Sequence, residues 1–133
     1  MKSSRLHHVT VMSTNLDHSI AFYIQALGLK QLSRPPFPNR GAWLGGEDYM
    51  VHLNLNPSGT FRSRKAIDGN DIHFALRVEN FEEAVAHLQN AGIYETDEET
   101  DPRRMIVKRS GPAGFPQVYV MDPDGNVIEV NAL

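Results

Sequence analysis

The feature that most limits what this chain can fold into is an internal repeat. The stretch from His8 to Ala21 can be laid on the stretch from His73 to Ala86 without a gap. In each, a His opens an alternating run, an Asn follows seven residues later, and a helical pattern continues to a Gly. Self-similarity of this kind decides architecture before local propensities do, since each copy is one supersecondary unit that cannot bury its apolar face alone. Asn15 predicts an N-cap, Leu16, Ile20, Tyr23, Ile24 and Leu27 the apolar stripe of the first helix, and Gly28 its stop. Asn80 caps the second helix, Glu83 sits where a capping-box acid belongs, and Phe81, Val85 and Leu88 form a stripe that ends at Gly92.

Strands are expected after each helix. The first is followed by candidates near Leu29–Ser33, Gly41–Leu44 and Tyr49–Asn56, the last alternating Met50, His52, Asn54 against Val51, Leu53, Leu55. The second is followed by Ile93–Glu95, Phe115–Met121 and Asn126–Asn131, with a weaker candidate at Met105–Lys108 inside a polar excursion from Asp97 to Pro116. Asp122-Pro123-Asp124-Gly125-Asn126 reads as a tight turn that makes a hairpin of the last two strands. Both halves therefore read βαβββ, an α+β pattern. Module one spans about residues 5–56, a Gly-, Ser-, Arg- and Asp-rich linker about 57–71, and module two about 72–133, together one domain over 1–133.

Composition removes several classes of function. With no Cys there is no zinc ribbon, iron–sulfur cluster, disulfide or thiol nucleophile, so a bound metal must rest on His, Asp or Glu. Thirteen Lys and Arg against sixteen Asp and Glu leave a net charge of -3, which argues against a nucleic-acid partner. The one basic cluster, Arg62, Arg64 and Lys65, lies in the linker. No apolar run approaches bilayer length and no signal-like segment opens the chain, so neither a membrane partner nor export is expected and the protein is placed in the cytoplasm.

Of the six His, the repeat singles out three. His8 and His73 open the two equivalent strands, Glu129 stands on the last strand of the second half, and His52 is its counterpart in the first. Four metal-competent side chains at related places point to a divalent ion, with Fe(II), Zn, Ni, Co and Mn all compatible with His and carboxylate donors. His18 and His87 fall on helices and His7 points away from His8, so these are read as ordinary residues.

The residues now resemble a known family. Leu6-His7-His8-Val9-Thr10-Val11, Asn15-Leu16-Asp17-His18-Ser19-Ile20-Ala21-Phe22-Tyr23, Ala26-Leu27-Gly28-Leu29 and Asp122-Pro123-Asp124-Gly125-Asn126-Val127-Ile128-Glu129 are similar to the vicinal oxygen chelate superfamily. That superfamily includes glyoxalase I, extradiol dioxygenases, fosfomycin-modifying enzymes and bleomycin-binding proteins. The resemblance implies two tandem βαβββ modules whose curved mixed sheets enclose a site. It implies a divalent metal on His8, His73 and Glu129, with His52 at the place of a further glyoxalase ligand. It also implies a homodimer and a small-molecule substrate.

Several activities stay open. A glyoxalase-type lyase would use Glu129 as base, and Asn56 matches a residue that contacts glutathione, whereas Met12 stands where that family has an Arg. A fosfomycin-type thiol transferase is matched by Thr10, Tyr119 and Arg109, with Arg103 and Arg104 as further cations for a phosphonate. An extradiol dioxygenase would use the same triad on Fe(II). A ligand-sequestering protein of the bleomycin-resistance kind would use a cleft lined by Phe37, Trp43, Tyr49 and Phe115. The leading expectation is a glyoxalase-like metal-dependent enzyme, with Glu129 and Tyr119 catalytic and Thr10, Asn56 and Arg109 on the substrate.

Overall fold

The computed structural model describes residues 4–59, 62 and 66–133, so Arg64 and Lys65 of the basic cluster lie outside the described residues. The chain divides into two compact units, Met1–Phe61 and Arg62–Leu133. The first runs β1 (His8–Ser13), α1 (Leu16–Gln25), β2 (Lys30–Leu32), β3 (Gly41–Gly45) and β4 (Met50–Leu55). Its sheet has the order β1-β4-β3-β2, with β1 parallel to β4 and the other pairs antiparallel. The second runs β5 (His73–Arg77), α2 (Phe81–Asn90), β6 (Tyr94–Glu95), β7 (Arg104–Lys108), β8 (Gln117–Met121) and β9 (Val127–Asn131). Its order is β5-β9-β8-β7-β6, and again the first strand lies parallel to the last. The fold is α+β, two mixed sheets with two helices, and neither sheet closes into a barrel.

The second unit departs from the expected βαβββ. The weak candidate is a full strand, β7, antiparallel to β8, and the stretch after α2 keeps only the two-residue β6 against it. The polar excursion from Asp97 to Pro116 is thus two loops on either side of a strand. Met105, Ile106 and Val107 supply too few apolar residues to stand out between Arg104 and Lys108, but β8 offers a complete ladder beside them.

The helices begin where their caps dictate. Asn15 Oδ1 accepts from the His18 N–H and Asn80 Oδ1 from the Glu83 N–H, each at 3.2 Å. Asn80 Nδ2 also donates to Glu83 Oε1 at 2.9 Å, so the capping box closes through the side-chain amide. Both helices stop at a left-handed glycine, Gly28 at φ 69° and Gly92 at φ 83°. On α2 the expected Phe81, Val85 and Leu88 are buried. On α1 the expected Tyr23 is buried, joined by Ser19, while Ile24 of the expected stripe is exposed. The Ser19 hydroxyl bonds the Ser13 hydroxyl of β1 at 2.7 Å, both fully buried, which satisfies a polar pair in the core.

The sheets have apolar interiors. Leu44, Val51 and Leu53 in the first unit and Val118, Val120 and Ile128 in the second are essentially inaccessible. All five residues of β9 are buried, so Glu129 sits in a strand covered on both faces. The turn before β9 is held by Asp122, whose Oδ1 accepts from the N–H groups of Asp124 and Asn126 at 2.9 and 2.8 Å.

Candidate functional site

The parallel pairing within each unit sets its candidate donors on the same diagonal. In the first, His8 faces Met50 and Thr10 faces His52; in the second, His73 faces Val127 and Ala75 faces Glu129. On the adjoining strand Trp43 faces His52 and Tyr119 faces Glu129. His52 and Glu129 therefore occupy equivalent register positions, as do Trp43 and Tyr119.

In the second unit, His73 Nδ1 lies 2.8 Å from the Asp71 carbonyl oxygen. A carbonyl only accepts, so Nδ1 carries the hydrogen and the neutral ring keeps its lone pair on Nε2. That Nε2 is 3.5 Å from Glu129 Oε2. Glu129 is 5% exposed. Its Oε1 accepts from Asn131 Nδ2 and its Oε2 from Gln117 Nε2 at 3.0 Å, with a further bond from the Tyr119 hydroxyl. Burial works to raise its pKa, but the bonds from Asn131, Gln117 and Tyr119, with the positive charge His73 can carry, outweigh burial and hold the carboxyl below the usual range. Burial and the bond to Glu129 push Tyr119 the other way, up to about 12, so its phenol keeps its proton and acts as a donor. Gln117 Nε2 also donates to the Tyr119 hydroxyl, at 2.9 Å.

In the first unit His52 is sandwiched. Its ring stacks on Trp43 at 4.4 Å and on His8 at 4.0 Å, and Phe37 and Arg34 extend the column. Its Nε2 is buried with no hydrogen-bond partner. Burial first, then the nearby His8, His7 and Arg34, lower its pKa and favour the neutral ring. His7 does not point away: the Nδ1 atoms of His7 and His8 are 2.8 Å apart. It precedes β1, so strand alternation does not govern it.

The remaining predicted residues separate from these pairs. Thr10 is exposed on β1 beside His52. Asn56 serves its own turn, accepting from the Ser58 N–H and donating its backbone N–H to the Ser13 carbonyl. Arg109 is engaged by Glu82 of α2 in a two-point pair at 3.0 and 3.1 Å. Arg103 pairs with Asp101 and lies over the Tyr94 ring. Gln117 and Asn131 were not anticipated, although each stands two residues along the strand from Tyr119 or Glu129, on the same face. Among the described residues no three or more His, Asp or Glu side chains are gathered in a set that could hold an ion; the donors occur as His8 with His52 and His73 with Glu129.

The His73–Glu129 pair fits a divalent cation on its own chemistry, whereas the His8 and His52 rings are stacked face to face. Two ligands bound at about 2.0–2.2 Å to one ion sit about 3–3.5 Å apart, which matches the spacing of His73 Nε2 and Glu129 Oε2. A His that donates Nδ1–H to a carbonyl while its Nε2 faces a carboxylate is oriented as metal-binding imidazoles are. His52 Nε2 is a buried ring nitrogen without a hydrogen-bond partner.

Comparison with known proteins then decides the family. The family model described as the glyoxalase/bleomycin resistance protein/dioxygenase superfamily matches residues 5–130. The chain belongs to this superfamily. It is 32% identical to the Arabidopsis thaliana protein named Glyoxylase I 4, over 94% of this chain and 68% of that protein. It is 30% identical to the trivalent organoarsenical cleaving enzyme of Bacillus sp. (strain MD1), over 90% of this chain and 67% of that protein. Its fold is shared with a bleomycin-binding protein solved with bleomycin, at a TM-score of 0.71 and 20% identity, over 98% of this chain and 99% of the other. Members of the superfamily generally use divalent metals and bind small molecules. No helix among the described residues is long and apolar enough to cross a membrane.

Proposed function

We propose that this member of the superfamily is a divalent-metal-dependent enzyme resembling glyoxalase I, acting on a small oxygenated substrate that chelates the ion through neighbouring oxygens. The observation that carries the proposal is the His73–Glu129 pair: an imidazole Nε2 3.5 Å from a buried carboxylate that is held below its usual range. The resemblance joins His8 and His52 to them as ligands. When bound, the ion would supply a Lewis acid that polarises the substrate oxygens and eases loss of a neighbouring proton.

The chain's own residues divide the remaining work. Three hydrogen bonds make Glu129 a good ligand and a weak base, because they stabilise the anion that a base would have to neutralise. Tyr119 positions that carboxylate with its phenolic proton. The neutral His52 can hold the ion or receive a proton at Nε2. Arg109, already paired with Glu82, gives little support to a phosphonate-binding transferase. The Phe37–Trp43–His52–His8 column favours a second reading, sequestration of a flat ligand, which needs no metal.

Elemental analysis of protein purified without chelators, with turnover screened on hemithioacetals, catechols and phosphonates, separates the two. The enzyme reading expects bound metal and a metal-dependent turnover, both lost in His73→Ala and Glu129→Ala variants that retain their circular dichroism. No metal in the wild type, with function unaltered in those variants, selects the binding reading.

A further inference from the structure

The sheet face that carries Glu129 also carries two cations without an ion-pair partner among the described residues. Residues in register share a face, so two rows can be followed across the second sheet. One row is Ala75, Glu129, Tyr119 and Ile106; the next is Arg77, Asn131, Gln117 and Lys108. The rows are two residues apart, about 6.6 Å along the strands. Neither Arg77 nor Lys108 has an ion-pair partner among the described residues, whereas Arg62, Arg103 and Arg109 are each taken by a carboxylate. Arg77 is exposed and held by a ring instead, its guanidinium 4.8 Å from the centre of Phe115. A cation placed by an aromatic face keeps its hydrogen-bonding fork for another acceptor.

The path to Arg77 is open. His73, Ala75 and Arg77 follow one another on this face of β5, and Ala75 is exposed with only a methyl group to obstruct a ligand. On the other side the large Tyr119 ring is interposed, and Lys108 leans over it with Nζ 5.0 Å from the ring centre. Asn131, in the middle of the row, donates to Glu129 and leaves its buried Oδ1 without a partner, an acceptor that would repel an anion there. A negative group is therefore directed to the Arg77 end. Met12 stands at the equivalent place in the first unit, so this cation belongs to the second alone.

We propose that Arg77 is a specificity-determining residue that binds a carboxylate, and that the substrate is a short acid whose chelating oxygens lie at Glu129 and whose carboxylate lies one row away. The proposal rests on the metal-dependent reading given above for the chelating end only.

The test is calorimetric binding of succinic monohydroxamate, a chelating head with a carboxylate tail, and of its methyl ester to the zinc-loaded protein. The acid should bind at least tenfold more tightly than the ester. Arg77→Gln should abolish that ratio without changing zinc content, and Lys108→Gln should preserve it. A ratio near one in the wild type, survival of the preference in Arg77→Gln, or its loss in Lys108→Gln overturns the assignment. Titration of the metal-free protein with succinate, followed by NMR at the Arg77 Nε–H, tests the carboxylate end alone. A saturable shift there, with neither hydroxamate binding the zinc-treated protein, sustains Arg77 and rejects the metal reading; no shift rejects Arg77.

Discussion

Replacing Tyr119 by Phe removes one of the three hydrogen bonds that hold Glu129 anionic, together with an acceptor for Gln117 Nε2. The ring is 5% exposed and packs with Ile67, Met121 and Val127, so Phe fills the same space and no cavity forms. What is lost is a hydrogen bond to a charged acceptor, which contributes about 1.5–3 kcal/mol. Gln117 Nε2 and Asn131 Nδ2 remain on the carboxylate, so the lower end applies, about 1.5–2 kcal/mol, equivalent to a rise of about one unit in the Glu129 pKa. The sign follows from linkage. A carboxyl whose folded pKa is depressed adds stability that is present above its unfolded value, near 4.5, and is lost as pH falls through the folded value. The cost of Tyr119→Phe should thus be full at pH 7 and shrink toward pH 4. Urea unfolding of the metal-free protein at the two pH values measures it, and carbon-detected NMR titration of Glu129 reads the pKa directly. An equal loss at both pH values, or an unmoved Glu129 titration, would refute the reasoning.

Further outcomes follow from other residues. His52 has a depressed pKa, so its contribution to stability is present above about 6.5 and lost as pH falls through the folded value. Metal-free protein should weaken on acidification from pH 7.5 toward 5, and His52→Phe should flatten that slope; an identical slope in the variant would count against the assignment. Asn15→Ala and Asn80→Ala should each cost about 1 kcal/mol in urea unfolding, with Asn80 the larger because its amide also holds Glu83. Arg109→Gln should cost less than about 1 kcal/mol, and the difference should vanish in high salt, because the pair with Glu82 is solvent-exposed. A larger, salt-independent loss would show that Arg109 does more than that pair.

Much of the fold could be read from the repeat because it couples elements far apart in sequence. Matching His8 with His73 placed His52 and Glu129 as counterparts, and the two parallel registers bear out that equivalence. Apolar periodicity did less well where a polar pair is buried. Ile24 fits the apolar spacing of α1 but is exposed, whereas Ser19 is buried and bonded to Ser13 of β1. Strand β7 was faint because its partner β8, not its own composition, makes it a strand. At the candidate site the donors were visible as residue types, while their second neighbours were not. Gln117 and Asn131 carry no chemical signature in a sequence and become meaningful only when register sets them beside Glu129. Charge counting likewise could not separate Arg109, already paired, from Arg77, which has no carboxylate partner among the described residues.

Competition titration shows whether the His73–Glu129 pair binds a divalent ion. Zinc or nickel is added to metal-free wild-type protein and to the near-isosteric Glu129→Gln variant in the presence of a chromophoric chelator. One ion per chain is expected in the wild type and at least a tenfold loss of affinity in the variant, with the fold unchanged. Equal affinity in the two proteins, or no competition by the wild type, would contradict binding by the pair.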